Sequence, residues 1–146
     1  MGRPSFEAIF LDFARQLSRR STCARARVGA VITSEDFRRV YACGYNGNAS
    51  GLPNDCDRHG AEAVGNCGCL HAEENAVINC DVSRHLPKVV FCTTLPCAMC
   101  AKRIVNLGGV TKVFYAEDYR IRTGAEILEM VGIVCSGPWP EKADVR

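Results

Sequence analysis

Lys88-Val-Val-Phe-Cys-Thr-Thr-Leu-Pro-Cys-Ala-Met-Cys-Ala-Lys-Arg-Ile-Val-Asn-Leu-Gly-Gly-Val-Thr-Lys-Val-Phe-Tyr115 reads as a strand, a helix and a second strand in one run. Lys88–Thr93 has the short apolar character of a buried strand, Cys97–Leu107 forms the helix, and Val110–Tyr115 is the next strand. Pro96 stands just ahead of the first helical turn, where a missing N–H costs little. A helix between two strands is a crossover connection, which joins parallel neighbours of a sheet.

The rest of the chain extends this unit in both directions. Downstream, a helix around Thr123–Met130 and a last strand at Ile133–Cys135 repeat the alternation. Upstream, a helix runs from about His71 to Cys80. Before it, Val28–Ile32 and Val40–Cys43 are β-prone runs separated by the polar Ser34–Arg39, a hairpin pattern. Phe6, Ile9, Phe10, Phe13 and Leu17 fall at helical spacing, with Glu7, Asp12, Arg15 and Arg19 on the opposite face. Ser5 is placed to cap that helix, and Arg19 and Arg20 lie where the helix dipole favours cations. A hairpin followed by two βα units predicts one α/β domain over residues 1–146. Its expected architecture is three-layered α/β/α: a mixed sheet of about five strands with helices on both faces. Gly44–Leu70 carries Gly, Asn, Asp, Pro and Ser without an apolar period, and so long a loop inside a domain is usually functional.

Composition narrows the class. Of 146 residues, 47% are hydrophobic and 23% charged, too apolar for a disordered chain. No apolar run approaches the ~18 residues of a membrane span. The formal net charge is +2, far from the basic excess of a dedicated nucleic-acid binder, so a polymeric nucleic-acid partner is not expected. Met1–Phe6 has neither the apolar core of a secretion signal nor the Ser or Thr that myristoylation wants at Phe6, so a cytoplasmic address is expected. Ten cysteines then point to metal rather than disulfides.

Two motifs carry chemistry, His71-Ala-Glu73 and Pro96-Cys-Ala-Met-Cys100, and both open helices. Cys97 and Cys100, three apart, share a helix face and can grip one ion. The helix N-terminus favours the thiolate form a metal needs. Two thiolates and the His71 imidazole make three ligands, leaving the fourth tetrahedral position of Zn2+ open, as in catalytic sites. Such a position lowers the pKa of water to about 7. Glu73, two residues after His71, is within reach as the proton shuttle, and a dry pocket would raise its pKa toward neutrality. A redox reading of Cys97 and Cys100 leaves His71 and Glu73 idle.

The pair of motifs resembles the His-x-Glu … Pro-Cys-x-x-Cys signature of zinc nucleobase deaminases, and that resemblance, not spacing alone, points to a deaminase. Arg27–Ile32, Gly44-Tyr-Asn-Gly47, His71-Ala-Glu-Glu-Asn-Ala76, Thr93–Lys102 and Tyr115-Ala-Glu-Asp-Tyr119 together look like the deoxycytidylate (dCMP) deaminase family, from about residue 6 to 135. The resemblance implies the cytidine-deaminase-like fold and hydrolysis of dCMP to dUMP and ammonia. It assigns His71, Cys97 and Cys100 to the zinc and Glu73 to proton transfer. Asn46 matches an Asn that hydrogen-bonds the nucleotide; Val28 and Tyr119 match positions lining the base pocket; the Ala72 amide matches a contact to the pyrimidine. Family members are commonly homohexamers, many activated by dCTP (with Mg2+) and inhibited by dTTP near Gly44, Tyr45 and Gly47. Cytidine and blasticidin deaminases carry Pro-Cys-Gly-x-Cys-Arg, whereas here Ala101-Lys102 follows Cys100, which favours the nucleotide and tRNA-adenosine side of the superfamily. The competing readings are the same chemistry on dCTP, 5-modified dCMP or tRNA adenosine, and a zinc-stabilised binding module without activity. The intact Glu73 argues against the last.

Some members of the family carry a second, structural zinc, and Cys23 and Cys56 match two of its ligand positions. Cys67, Cys69 and His59 compete for the other two, so a closed site of four cysteines, or of three cysteines and a histidine, is expected. Cys43, Cys80, Cys92 and Cys135 read as core, Met99, Met130 and Trp139 as packing rather than cofactor contacts (Trp139 equally as a contact to a neighbouring subunit), and His85 as a solvated loop residue. Arg25, Arg27, Lys102, Arg103, Arg120 and Arg122 flank the motifs and are the candidates for binding phosphate.

Overall fold

The computed structural model describes residues 2–54, 56 and 67–139. Helix α1 (Phe6–Ser18) precedes the hairpin strands β1 (Gly29–Ser34) and β2 (Val40–Tyr45). Then come α2 (Ala72–Asn79), β3 (Lys88–Thr94), α3 (Ala98–Leu107), β4 (Val110–Glu117), α4 (Thr123–Met130) and β5 (Val134–Ser136). The sheet order is β2-β1-β3-β4-β5. β1 is antiparallel to both β2 and β3, and β3, β4 and β5 run parallel, so the sheet is mixed. Among the described residues no helix is long and apolar enough to cross a membrane.

Period-two alternation in the central strands sorts side chains onto two covered faces. Ile32, Val90, Cys92 and Val113 pack on one face with Ala72 and Ala76 of α2, Ala101 and Ile104 of α3, and Leu128 of α4. Their neighbours Val31, Val89, Phe91 and Phe114 meet Phe10, Leu11 and Ala14 of α1 on the other. Phe91 anchors this second layer, with ring centroids 5.2 Å from Phe10 and 5.3 Å from Phe114. Ser5 caps α1 by accepting from the Ala8 N–H at 3.1 Å.

Element ends differ from expectation where a local bond decides. Val28 falls outside β1 because its N–H is taken by the Asn46 side chain. His71 and Cys97 are caps of their helices, not first helical residues. The long loop is pinned at its ends by paired bonds between Gly47 and Leu70. Of the four cysteines read as core, Cys92 is fully buried, while Cys43, Cys80 and Cys135 are only partly so. Cys43 and Cys135 lie on the edge strands and Cys80 ends α2, so each packs on the core from its margin. Met99 and Met130, expected to pack, are instead 55% and 84% exposed on the outer faces of α3 and α4. Trp139 does pack, edge-on to Phe114 at 5.8 Å, and His85 is exposed.

Lys88 is fully buried at the start of β3. Its ammonium donates to the carbonyls of Ser83, Leu86 and Gly108 at 2.8, 2.9 and 2.8 Å, tying the loop before β3 to the end of α3. Replacing it with methionine keeps the volume and strands three carbonyls. Lys88→Met is expected to destabilise the fold by about 3 kcal/mol. The check is a lower urea midpoint at unchanged m-value.

Candidate active site

β3 ends at Thr94 and hands the chain through Leu95 and Pro96 to α3, so the N-terminus of α3 sits at the carboxyl end of the parallel strands. The N-terminus of α2 packs beside it. His71 (φ −76°, ψ 156°) and Cys97 (φ −70°, ψ 171°) have extended backbones that place both side chains ahead of their helices. Cys100 follows one turn into α3. His71 Nδ1 lies 3.3 Å from Cys100 Sγ and 3.6 Å from Cys97 Sγ. A tetrahedral zinc with bonds of about 2.1 Å to nitrogen and 2.3 Å to sulfur separates such donors by about 3.6 Å. The donor set therefore fits zinc in both chemistry and spacing.

The three groups of the cluster shift one another. The Cys97 thiol is pulled down to about 3, chiefly by its hydrogen bond with Cys100 and then by His71, against the cost of burial. Its thiolate pushes His71 up to about 9. Cys100 is pushed up by Cys97 and by burial. Glu73, in the first turn of α2, is buried at 5% exposure and reaches the Cys100 thiol. Burial raises its carboxyl above the ordinary range.

The helix ends are braced. The Glu74 carboxylate accepts the His71 N–H at 3.0 Å with one oxygen. With the other it pairs with Arg103 Nε of α3 at 3.1 Å, so one side chain joins the two helices that carry the metal donors. Gly44 of β2 has a packing role on this side. A Cβ there would stand 2.6 Å from Ala72 O and Ala76 N, so glycine is what lets α2 lie on the sheet.

A cavity of about 250 Å3 opens over the donors. Val28, Asn46, Ala72 and Tyr119, all named from the sequence, line it together with His71, Glu73 and Cys97. Thr94 and Leu95 also line it and were missed, although they stand directly before Pro96 in the quoted run. Asn46 builds the wall: its Oδ1 accepts from Val28 N at 2.8 Å and its Nδ2 donates to Ala26 O at 2.7 Å. Of the six candidate cations, Arg25 alone lines this cavity. Lys102 and Arg103 lie in a groove on α3, Arg122 pairs with Asp118, and Arg27 and Arg120 are exposed elsewhere.

Two further features sit close by. Tyr45 and Gly47 line a second hollow of about 250 Å3 with Arg20, whose guanidinium lies 5.8 Å from the centre of the Tyr45 ring. Gly44 faces α2 instead, because alternation along β2 turns it to the other side. Cys23, Cys56, Cys67 and Cys69 bring their four sulfurs together. The Cys23–Cys56, Cys56–Cys69 and Cys23–Cys67 separations are 3.6, 3.6 and 3.7 Å. Four thiolates around a tetrahedral zinc, with bonds of about 2.3 Å, stand about 3.8 Å apart, so this set also fits zinc. His59, the competing ligand, lies outside the described residues.

Three donors that could hold one metal ion, a buried carboxylate against them and a cavity above make an arrangement suited to metal-assisted hydrolysis. The model of the cytidine and deoxycytidylate deaminase zinc-binding region matches residues 5–117, and the chain belongs to that family. Deoxycytidylate deaminase of Saccharomyces cerevisiae is 35% identical over 140 residues, 90% of this chain and 44% of the yeast protein. The chain thus spans less than half of that relative. Deoxycytidylate deaminase of Mycobacterium phage D29 is 32% identical over 130 residues, covering 81% of this chain and 99% of the phage protein. The crystal structure of the cyanophage S-TIM5 dCMP deaminase, in complex with dCMP and dUMP, matches with a TM-score of 0.78 and 31% identity. That match covers 93% of this chain and 98% of the phage chain, and supports the cytidine-deaminase-like α/β fold.

Proposed function

We propose that the chain is a zinc-dependent deaminase that hydrolyses dCMP to dUMP and ammonia, within one catalytic domain. The observation that carries this reading is the convergence of His71, Cys97 and Cys100 on one point, with the buried Glu73 beside them under a single cavity. Relatives named deoxycytidylate deaminase support the substrate.

His71, Cys97 and Cys100 hold the zinc. Bound there, zinc supplies a Lewis acid that makes water nucleophilic near neutral pH. Glu73 takes the proton of the attacking water, delivers it to N3 of the pyrimidine and then helps protonate the departing amine. Burial suits it to this double duty, because a carboxyl of raised pKa both accepts and returns a proton. Val28 and Tyr119 flank the base, the Ala72 amide contacts it, and Asn46 keeps an N–H and a lone pair for the nucleotide. Arg25 is the cation placed for the 5′-phosphate.

The four-cysteine cluster holds a second, structural zinc in this reading. The hollow at Tyr45 and Gly47, with Arg20, suits an anionic effector such as dCTP with Mg2+ or dTTP. Assembly as a homohexamer and a cytoplasmic location belong to the same reading. Purified protein assayed with dCMP, dCTP, 5-methyl-dCMP and deoxycytidine tests the substrate by loss of cytosine absorbance. A phosphate held by one charged hydrogen-bonding pair is expected to give dCMP at least about a tenfold advantage in kcat/KM over deoxycytidine. Equal rates on the two would remove the phosphate from the recognition.

A further inference from the structure

Cys23, Cys67 and Cys69 belong to two structures at once. Their sulfurs meet Cys56 in the four-cysteine cluster, and the same residues form part of the wall of the cavity over His71 and Glu73. Cys56 is the member that does not line the cavity. The backbone between the cluster and the cavity is bonded to sulfur. Cys23, which opens that segment, has its sulfur held 3.6 Å from Cys56 Sγ and 3.7 Å from Cys67 Sγ. Cys56 Sγ accepts from Ala24 N at 3.5 Å. At its other end the same segment is clamped by Asn46, through Ala26 O and Val28 N. Arg25 stands between these two anchors and enters the cavity.

We propose that the four-cysteine centre is a positioning site for nucleotide recognition: with zinc bound, its sulfurs fix the 24–26 backbone and so aim Arg25 at the 5′-phosphate. This rests on the deaminase reading above. The Ala24 N–H bond to the Cys56 sulfur and the Asn46 bond to Ala26 O hold the segment from both ends. A backbone already ordered before the nucleotide arrives spares binding the entropy of ordering it. The cluster then contributes to the affinity for nucleotides and not to the affinity for nucleosides, which a role confined to holding the fold would not produce.

Cys56→Ser tests this without altering the cavity lining. Expected are one zinc fewer per chain, a rise of roughly tenfold in KM for dCMP, and an unchanged KM for deoxycytidine. Arg25→Ala should reproduce the KM effect with its zinc intact, and the double variant should be no worse than Arg25→Ala alone, because both remove one interaction. Equal increases for nucleotide and nucleoside, or additive effects in the double variant, would overturn the proposal. Binding linkage gives a second test on the unaltered protein, which stands even if Cys56→Ser does not fold. Bound dUMP should slow transfer of the second zinc to a chromogenic chelator several-fold, and deoxyuridine should not. Equal protection by the two contradicts the proposal. Failure of the deaminase reading looks different: the unaltered protein then turns over neither dCMP nor deoxycytidine, while zinc release still reports on the coupling.

Discussion

Glu73→Ala should lower dCMP turnover by roughly a thousandfold or more, with both zinc sites filled and the fold intact. The carboxylate is buried over the metal donors and touches Cys100, yet it is not needed as a ligand because three donors already converge. In the proposed mechanism its removal therefore takes away the proton relay and leaves the centre standing. Methyl-sized space in place of the carboxylate leaves a small cavity but no unpaired charge, so thermal stability should be equal to or slightly above that of the parent. The check is kcat with dCMP alongside zinc content. Activity near the parental level would show that another group moves the proton.

His71→Ala should have an effect of similar size by a different route. The imidazole is the sole nitrogen donor of its cluster, and His71 caps α2 on the side facing α3. Its loss leaves two sulfurs, too few to close three-point binding, and zinc affinity at this centre should fall by at least about a hundredfold. Zinc analysis should then find one equivalent fewer, the four-cysteine centre remaining loaded, and dCMP turnover at background. Retention of both equivalents would mean that the metal is held by other donors.

The order and type of the elements were legible because they rest on local periodicity. Val31 and Ile32, or Val90 and Phe91, are apolar neighbours whose opposite facing follows from the strand alone, once helices cover both sides. That His71, Cys97 and Cys100 converge was legible because His-x-Glu and Cys-x-x-Cys each lie within one turn of a helix start. What was not legible depends on conformation and distant pairing. Arg25 could not be singled out among six flanking cations. Its entry into the cavity follows from the bond that Ala24 N–H makes to the Cys56 sulfur and from the clamp of Asn46 on Ala26, across the hairpin. Gly44 read as part of an effector motif, whereas the approach of α2 to β2 gives it a packing role. Met99 and Met130 read as packing residues from residue type, but helical phase turned them outward. The second cluster was legible as a set of cysteines; that Cys67 and Cys69 both join Cys23 and Cys56 required the fold.

The central claim is that water adds to the pyrimidine at this centre and displaces ammonia. The direct measurement is incubation of dCMP with the protein in water enriched in heavy oxygen, followed by mass analysis of the nucleotide and assay of ammonia. The account predicts dUMP carrying one heavy oxygen at C4, one ammonia for each dUMP formed, and neither product with Glu73→Ala. Unchanged dCMP with a zinc-loaded protein, or dUMP without the label, would contradict it.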